Sequence, residues 1–176
     1  EFKSIDIALS TGNVKSYASA AEAIKIEAST GDIFAESISA GSLDITVSTG
    51  KVTVSSVTCE GDITVGVSTG KIYLTDVTCK NLTSTGSTGD VSLKNVISTE
   101  KISVERSTGD VTLDRSDAAE LFIMTSTGDV EGSLLTDKVF ITKTDTGCIN
   151  VPNSITGGRC EITTETGDIK ISISED

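Results

Sequence analysis

The pentapeptide Ser-Thr-Gly-Asp-Val is written at residues 87–91, 107–111 and 126–130, and Ser-Thr-Gly-Asp-Ile at 29–33. Looser copies stand at 10–14, 48–52, 68–72, 145–149 and 165–169. Their glycines, Gly12, Gly31, Gly50, Gly70, Gly89, Gly109, Gly128, Gly147 and Gly167, follow one another at intervals of 19 or 20 residues. A fixed period of this length is too short for helix-pair repeats, and the residue types are wrong for leucine-rich repeats; it fits one coil of a β-solenoid.

The columns around each glycine support that reading. Two residues after it, all nine positions hold Val or Ile, from Val14 to Ile169. Seven before it stand Ile5, Ile24, Leu43, Ile63, Leu82, Ile102, Leu121, Phe140 and Cys160. Apolar and polar residues alternate on both sides of the turn, the period of a strand with one buried face. A weaker apolar column seven after the glycine, Ile38, Val57, Val77, Val96 and Leu135, marks a third short strand or a bent continuation of the second. No stretch has a helical period, and the Ala-rich run 18–23 is too short to stand alone.

The expectation is therefore an all-β parallel β-solenoid of about nine coils, one domain over residues 1–176. Equivalent strands pair in parallel about 4.8 Å apart, which makes a rod roughly 40 Å long. Its hand is expected to be right-handed, as parallel crossovers usually are. Glycine at the corner permits positive φ, and the Ser and Thr hydroxyls bond backbone groups that leave the ladder there. Reading the turn as a phosphate loop fails, because no helix follows it.

A net charge of −12 argues against nucleic acid and against docking on anionic lipid. No apolar run is long enough to span a bilayer. The chain begins at Glu1, so a mature or excised domain with an upstream signal or anchor is expected. Histidine and tryptophan are absent and no C-x-x-C occurs, which disfavours zinc.

The nine spaced turns resemble those of a bacterial family named for adhesins, a family of unknown function built from repeated STGD-like turns, and the resemblance runs over essentially the whole chain. It implies a solenoid on a cell-surface or membrane-anchored protein, and it brings no catalytic residues.

Three groups of side chains are candidates for function. One residue after the glycine, Asp90, Asp110 and Asp129 stack in consecutive coils; their repulsion would be relieved by a cation, for which Ca²⁺ is the chemically suited choice. The alternative is that these carboxylates bond backbone N–H groups at the corner or fan into solvent. On the outer face, Phe122 and Met124 share a coil, with Ile141 expected beside Phe122 in the next; together they form an apolar partner patch. Phe34 and Tyr73 also point outward, two coils apart. Cys59 and Cys79 occupy one small-residue column with Ala21, Ala40, Ser98 and Ala118, as a disulfide or as two buried thiols. Cys160 is expected in the core and Cys148 nearer the surface. At the C-terminal edge, Glu175 and Asp176 are expected as charged gatekeepers.

No loop is long enough to wall a cleft, so no enzyme is expected, although acidic clusters serve β-helix polysaccharide-active enzymes. The leading reading is a non-catalytic structural or binding module of the cell envelope, extracellular or at the cell surface, whose partner is a protein or a cell-surface glycan. The alternative is a regulatory or assembly module that pairs with protein, including a second copy.

Overall fold

The computed structural model describes residues 2–174. The charged pair Glu175 and Asp176 lies outside them. Fifteen strands form one continuous sheet that winds as a parallel solenoid. In chain order they are β1 (Phe2–Thr11), β2 (Val14–Ser16), β3 (Ala20–Thr30), β4 (Ile33–Thr49), β5 (Val52–Cys59), β6 (Asp62–Thr69), β7 (Ile72–Thr88) and β8 (Val91–Thr108). They continue as β9 (Val111–Ser116), β10 (Glu120–Thr127), β11 (Val130–Leu134), β12 (Lys138–Thr146), β13 (Ile149–Asn150), β14 (Gly158–Thr166) and β15 (Ile169–Ile173). Coils are numbered here by their turn glycine, from coil 1 at Gly12 to coil 9 at Gly167.

Stacking is in register. Val14, Ile33, Val52, Ile72, Val91, Val111, Val130, Ile169 and Ile149 form one file of paired residues, and all but Ile149 are buried. At eight of the nine turns, all but that of Gly147 on the outermost coil, the glycine N–H donates to the threonine carbonyl of the adjoining coil, as from Gly70 to Thr88 at 2.9 Å. These corners admit no side chain: Gly70 has φ 144°, and a Cβ there would lie 1.8 Å from the Gly50 carbonyl oxygen.

A second corner falls six residues after the glycine. Ser37, Ser56, Asp76, Asn95 and Arg115 occupy it with φ between 49° and 55°, the left-handed region. Strands β4, β7 and β8 run straight through this bend, so the third apolar column is the bent continuation of the second strand. Ile38, Val57, Val77 and Val96 are buried there. Coil 7 lacks the left-handed residue and bends at Gly132 instead. Its inward position consequently moves from Leu135 to Leu134, which is fully buried. A similar slip at the N-terminal end puts Ala20, in place of Ala21, opposite Ala40.

The coils do not stack in chain order throughout. Coils 1 to 7 do. Then β10 and β11 of coil 7 pair with β14 and β15 of coil 9, and β12 and β13 of coil 8 pair with the other edge of coil 9. The spatial order is therefore 7–9–8, with coil 8 outermost. Two differences between the coils favour this order. The inward residues of the first strand are Cys160, Ile162 and Thr164 in coil 9 but Phe140, Thr142 and Thr144 in coil 8, and the more apolar set takes the doubly covered place. Coil 9 also carries Asp168 where coil 8 has Cys148, and the Asp168 carboxylate accepts the Cys148 N–H at 2.8 Å.

A charge without a carboxylate partner interrupts the apolar interior. Arg106 stands in an inward column with Val47, Val67 and Gly86 and is 2% exposed. Its guanidinium occupies the space that a side chain on Gly86 would need, and Nη1 donates to the Val67 carbonyl at 2.8 Å. Nε and Nη2 have no hydrogen-bond partner, and burial pushes the group below its ordinary pKa.

Three outcomes are expected in urea unfolding. Gly70→Ala should cost about 2 kcal/mol or more, and Ser56→Gly, which relieves a left-handed serine, should gain about 0.5 kcal/mol. Arg106→Met should stabilise by about 1 kcal/mol or more, because it replaces an unpaired buried charge with an apolar side chain of similar volume.

Candidate functional site

The acidic column is a hydrogen-bonded file. Where the residue after the turn glycine is Asp or Asn, its side chain accepts the backbone N–H of its counterpart in the adjoining coil. Asp110 donates to Asp90 at 3.1 Å, Asp129 to Asp110 at 2.8 Å and Asp168 to Asp129 at 2.7 Å. Asn13 serves Asp32 in the same way, and Asp32 serves Lys51. The coil inversion adds Asp168 as a fourth consecutive carboxylate, which chain order does not suggest. Lysines meet two members of the file: Lys71 lies 2.8 Å from Asp90 and Lys170 lies 3.0 Å from Asp168. Both carboxyls are held below their ordinary pKa, Asp90 chiefly by Lys71 and then by the Asp110 N–H, Asp168 chiefly by the Cys148 N–H and then by Lys170. Among the described residues no group of three or more acidic or thiol side chains is placed to hold a metal ion.

A hollow of about 710 Å³ lies at the second corner near the C-terminal end. Its walls are Ile97, Ala118, Ala119, Leu135 and the segment 156–158, where the return crossing to coil 9 passes the outgoing crossing to coil 8. Lys138 lies in it, 3% exposed, with Nζ 2.6 Å from Asp117 Oδ1. Thr136 Oγ1 donates to Asp117 Oδ2 at 2.6 Å and accepts from Lys138, while the Ala118 N–H donates to Asp117 Oδ1 at 2.7 Å. The cluster is closed on itself, and it pins the outgoing crossing to coil 6. The periodicity does not reveal it. Its trace in the sequence is that Asp117 and Lys138 stand where the repeat loses its apolar third strand.

On the outer face the apolar strip is less continuous than chain order implies. Phe122 pairs with Glu161 of coil 9, and Ile141 pairs with the other side of Glu161. Ile141 is therefore two coils from Phe122. The Phe122 ring is half-buried, with Lys101 Nζ 4.6 Å and Arg159 Cζ 5.6 Å from its centroid. Arg159 in turn donates to Glu161 at 2.6 Å. Met124 and Ile141 remain exposed, at 54% and 47%. Phe34 and Tyr73 point outward with Thr53 between them.

All four cysteines are free thiols. Cys59 and Cys79 are buried in the column of Ala40, Ser98 and Ala118, and Cys160 is in the core. Burial pushes the Cys79 thiol up to about 11 and the Cys160 thiol up to about 12. Cys148 is exposed, on the outermost coil.

A family described as Toastrack DUF4097 matches residues 60–176, and the chain belongs to that family, whose function is unknown. No curated protein and no solved structure matches the chain. Residues 2–59 lie outside the matched range but continue the same turns and the same files of paired residues.

Asp110→Asn keeps an acceptor for the Asp129 N–H and removes a like charge, so its stability should equal or exceed that of the wild type; Asp110→Ala should cost about 1 kcal/mol. The depressed Asp90 pKa contributes stability that is present above the ordinary carboxylate pKa and is lost as pH falls through the folded-state value. The cost of Asp90→Asn, measured by urea unfolding, should accordingly shrink as pH is lowered from neutral to about 3. Lys138→Ala should cost about 3 kcal/mol or more, since it leaves Asp117 with an unpaired charge. An aromatic disulfide reagent should titrate Cys148 alone in the native state and all four thiols after unfolding.

Proposed function

We propose that this Toastrack domain is a non-catalytic recognition module of a cell-envelope protein, a stiff rod that holds its C-terminal end out to a protein or to a cell-surface glycan. The observation that carries the reading is the uneven distribution of outward apolar surface. Along coils 2 to 6 the outer face is mostly Ser, Thr and paired charges. Met124, Val139, Ile141, Ile149 and Ile155, all exposed, gather on the last three coils, at the same end as the 710 Å³ hollow, whereas Phe2 and Tyr17 on the first coil and Tyr73 on the fourth are exposed away from them. Apolar side chains gathered in one region of a surface mark an interaction site. An adhesive role follows naturally from such a rod on an envelope protein, with the hydroxyl-rich faces as secondary contact.

The non-catalytic part of the reading is supported by how the acidic side chains are used. In the file from Asp90 to Asp168 one oxygen of each carboxylate accepts a backbone N–H, and Asp117 is closed by Lys138, Thr136 and its own backbone. A polysaccharide-active enzyme needs a pair of carboxylates free to move protons at a substrate.

The test is a binding screen of the labelled domain against intact bacteria, cell wall, matrix proteins and a glycan array, each with and without calcium. Saturable binding that falls at least tenfold in the Met124→Ser, Ile141→Ser double variant supports the reading. Binding that requires calcium and is lost in Asp110→Asn would move the site to the acidic file. Absence of binding to every class, or turnover of a polysaccharide, overturns it.

A further inference from the structure

We infer that the segment of β14 and β15 is an exchangeable element, and that two copies of this chain form a dimer by trading it. Strand β14 is inserted between β10 and β12, and β15 between β11 and β13. Coil 8 pairs with coil 9 alone. Removing coil 9 therefore opens a slot whose two walls, coils 7 and 8, both belong to the rest of the chain. The slot is specific. Its walls offer the Asp129 carboxylate to the Asp168 N–H and the Cys148 N–H to the Asp168 carboxylate. A second copy supplies a coil 9 with the same contacts, so nothing inside the slot distinguishes an own coil from a partner's.

The connection that decides between them is residues 151–157. It contains the chain's single proline, Pro152, and Ile155, which is 90% exposed. Its side-chain hydrogen bonds are local, joining Ser154 to Thr156. At its end the chain passes the outgoing crossing at a distance only glycine permits: Gly157 has φ 97°, and a Cβ there would lie 1.8 Å from the Asp137 carbonyl oxygen. Gly158 is as close to the carbonyl of Ala119. A return of seven residues that must double back between two coils is the kind of hinge that favours exchange, because passing to a second copy relieves the chain of that reversal and keeps every strand pair. The other crossing is fixed by the buried Lys138–Asp117 pair, so coil 8 stays with its own chain while coil 9 moves.

The full chain is unfolded and refolded at about 10 µM and about 1 mM, and the products are separated by gel filtration with light scattering. The expectation is a dimer whose fraction rises several-fold with concentration and which persists for hours after dilution, since exchange back requires coils 8 and 9 to unzip. Lengthening the hinge with a Gly-Ser insert after Asn153 should reduce the dimer at least fivefold, and deleting residues 153–156 should make it the main product. If the deletion variant does not fold, the insertion variant and the concentration series still decide. Met124→Lys with Ile141→Lys separates exchange from surface docking: an unchanged dimer yield supports exchange, and loss of the dimer overturns it. Monomer alone at both concentrations, or a dimer that dissolves within seconds of dilution, also overturns it. None of these outcomes depends on the partner proposed above, so the two ideas fail separately.

Discussion

The constraint on which this molecule rests is the parallel hydrogen-bond ladder between coils, which sets like residues on like about 4.8 Å apart. In such a stack each position must tolerate its own repetition. Val and Ile do so by burying one another, and threonine does so between adjoining turns because its carbonyl takes the neighbouring glycine N–H. Aspartate is the hard case, since stacked carboxylates repel. The fold resolves it by giving one oxygen of each carboxylate a backbone donor from the adjoining coil and by setting lysines beside Asp90 and Asp168. The repeated pentapeptide is thus a complete joint: a corner glycine, an acceptor for the adjoining turn, and a branched residue that restarts the core.

Departures from the repeat come in matched pairs. Arg106 fits the core only because Gly86, one coil earlier in the same column, leaves its side-chain space empty. Asp117 and Lys138 break the apolar third strand, and each neutralises the other within a sheltered corner. Coil 8 carries Thr142 and Thr144 inward and Cys148 in place of an acceptor, and it is the coil that folds to the outside. A residue unsuited to the middle of the stack is consistently answered by a second change or by a place at the end.

The sequence displays the solenoid, its period, its inward columns and its corner almost completely, because periodic burial leaves a periodic trace. Single-residue slips escaped it. Ala20 replaces Ala21, and Leu134 replaces Leu135, because a bulge or a shifted left-handed residue moves the inward set by one without altering composition. The coil order escaped it for a different reason: coils 8 and 9 carry the same columns, so either could follow coil 7, and only the Asp168–Cys148 difference and the greater apolarity of coil 9 distinguish them. That is why Ile141 was expected beside Phe122 when Glu161 lies between them. The Asp117–Lys138 pair was invisible because its partners meet across two coils at positions outside every column.

The inverted order of the last coils also has a mechanical meaning. In a solenoid stacked in chain order, tension applied through the segment beyond the final strand would peel the outermost coil first, one rung at a time. Here that segment leads from β15, which is hydrogen-bonded on both edges. A pull therefore loads two strand interfaces together and meets them in shear, while the outermost coil bears no direct load. Such an interlock would raise the force needed to begin unravelling without adding a single residue.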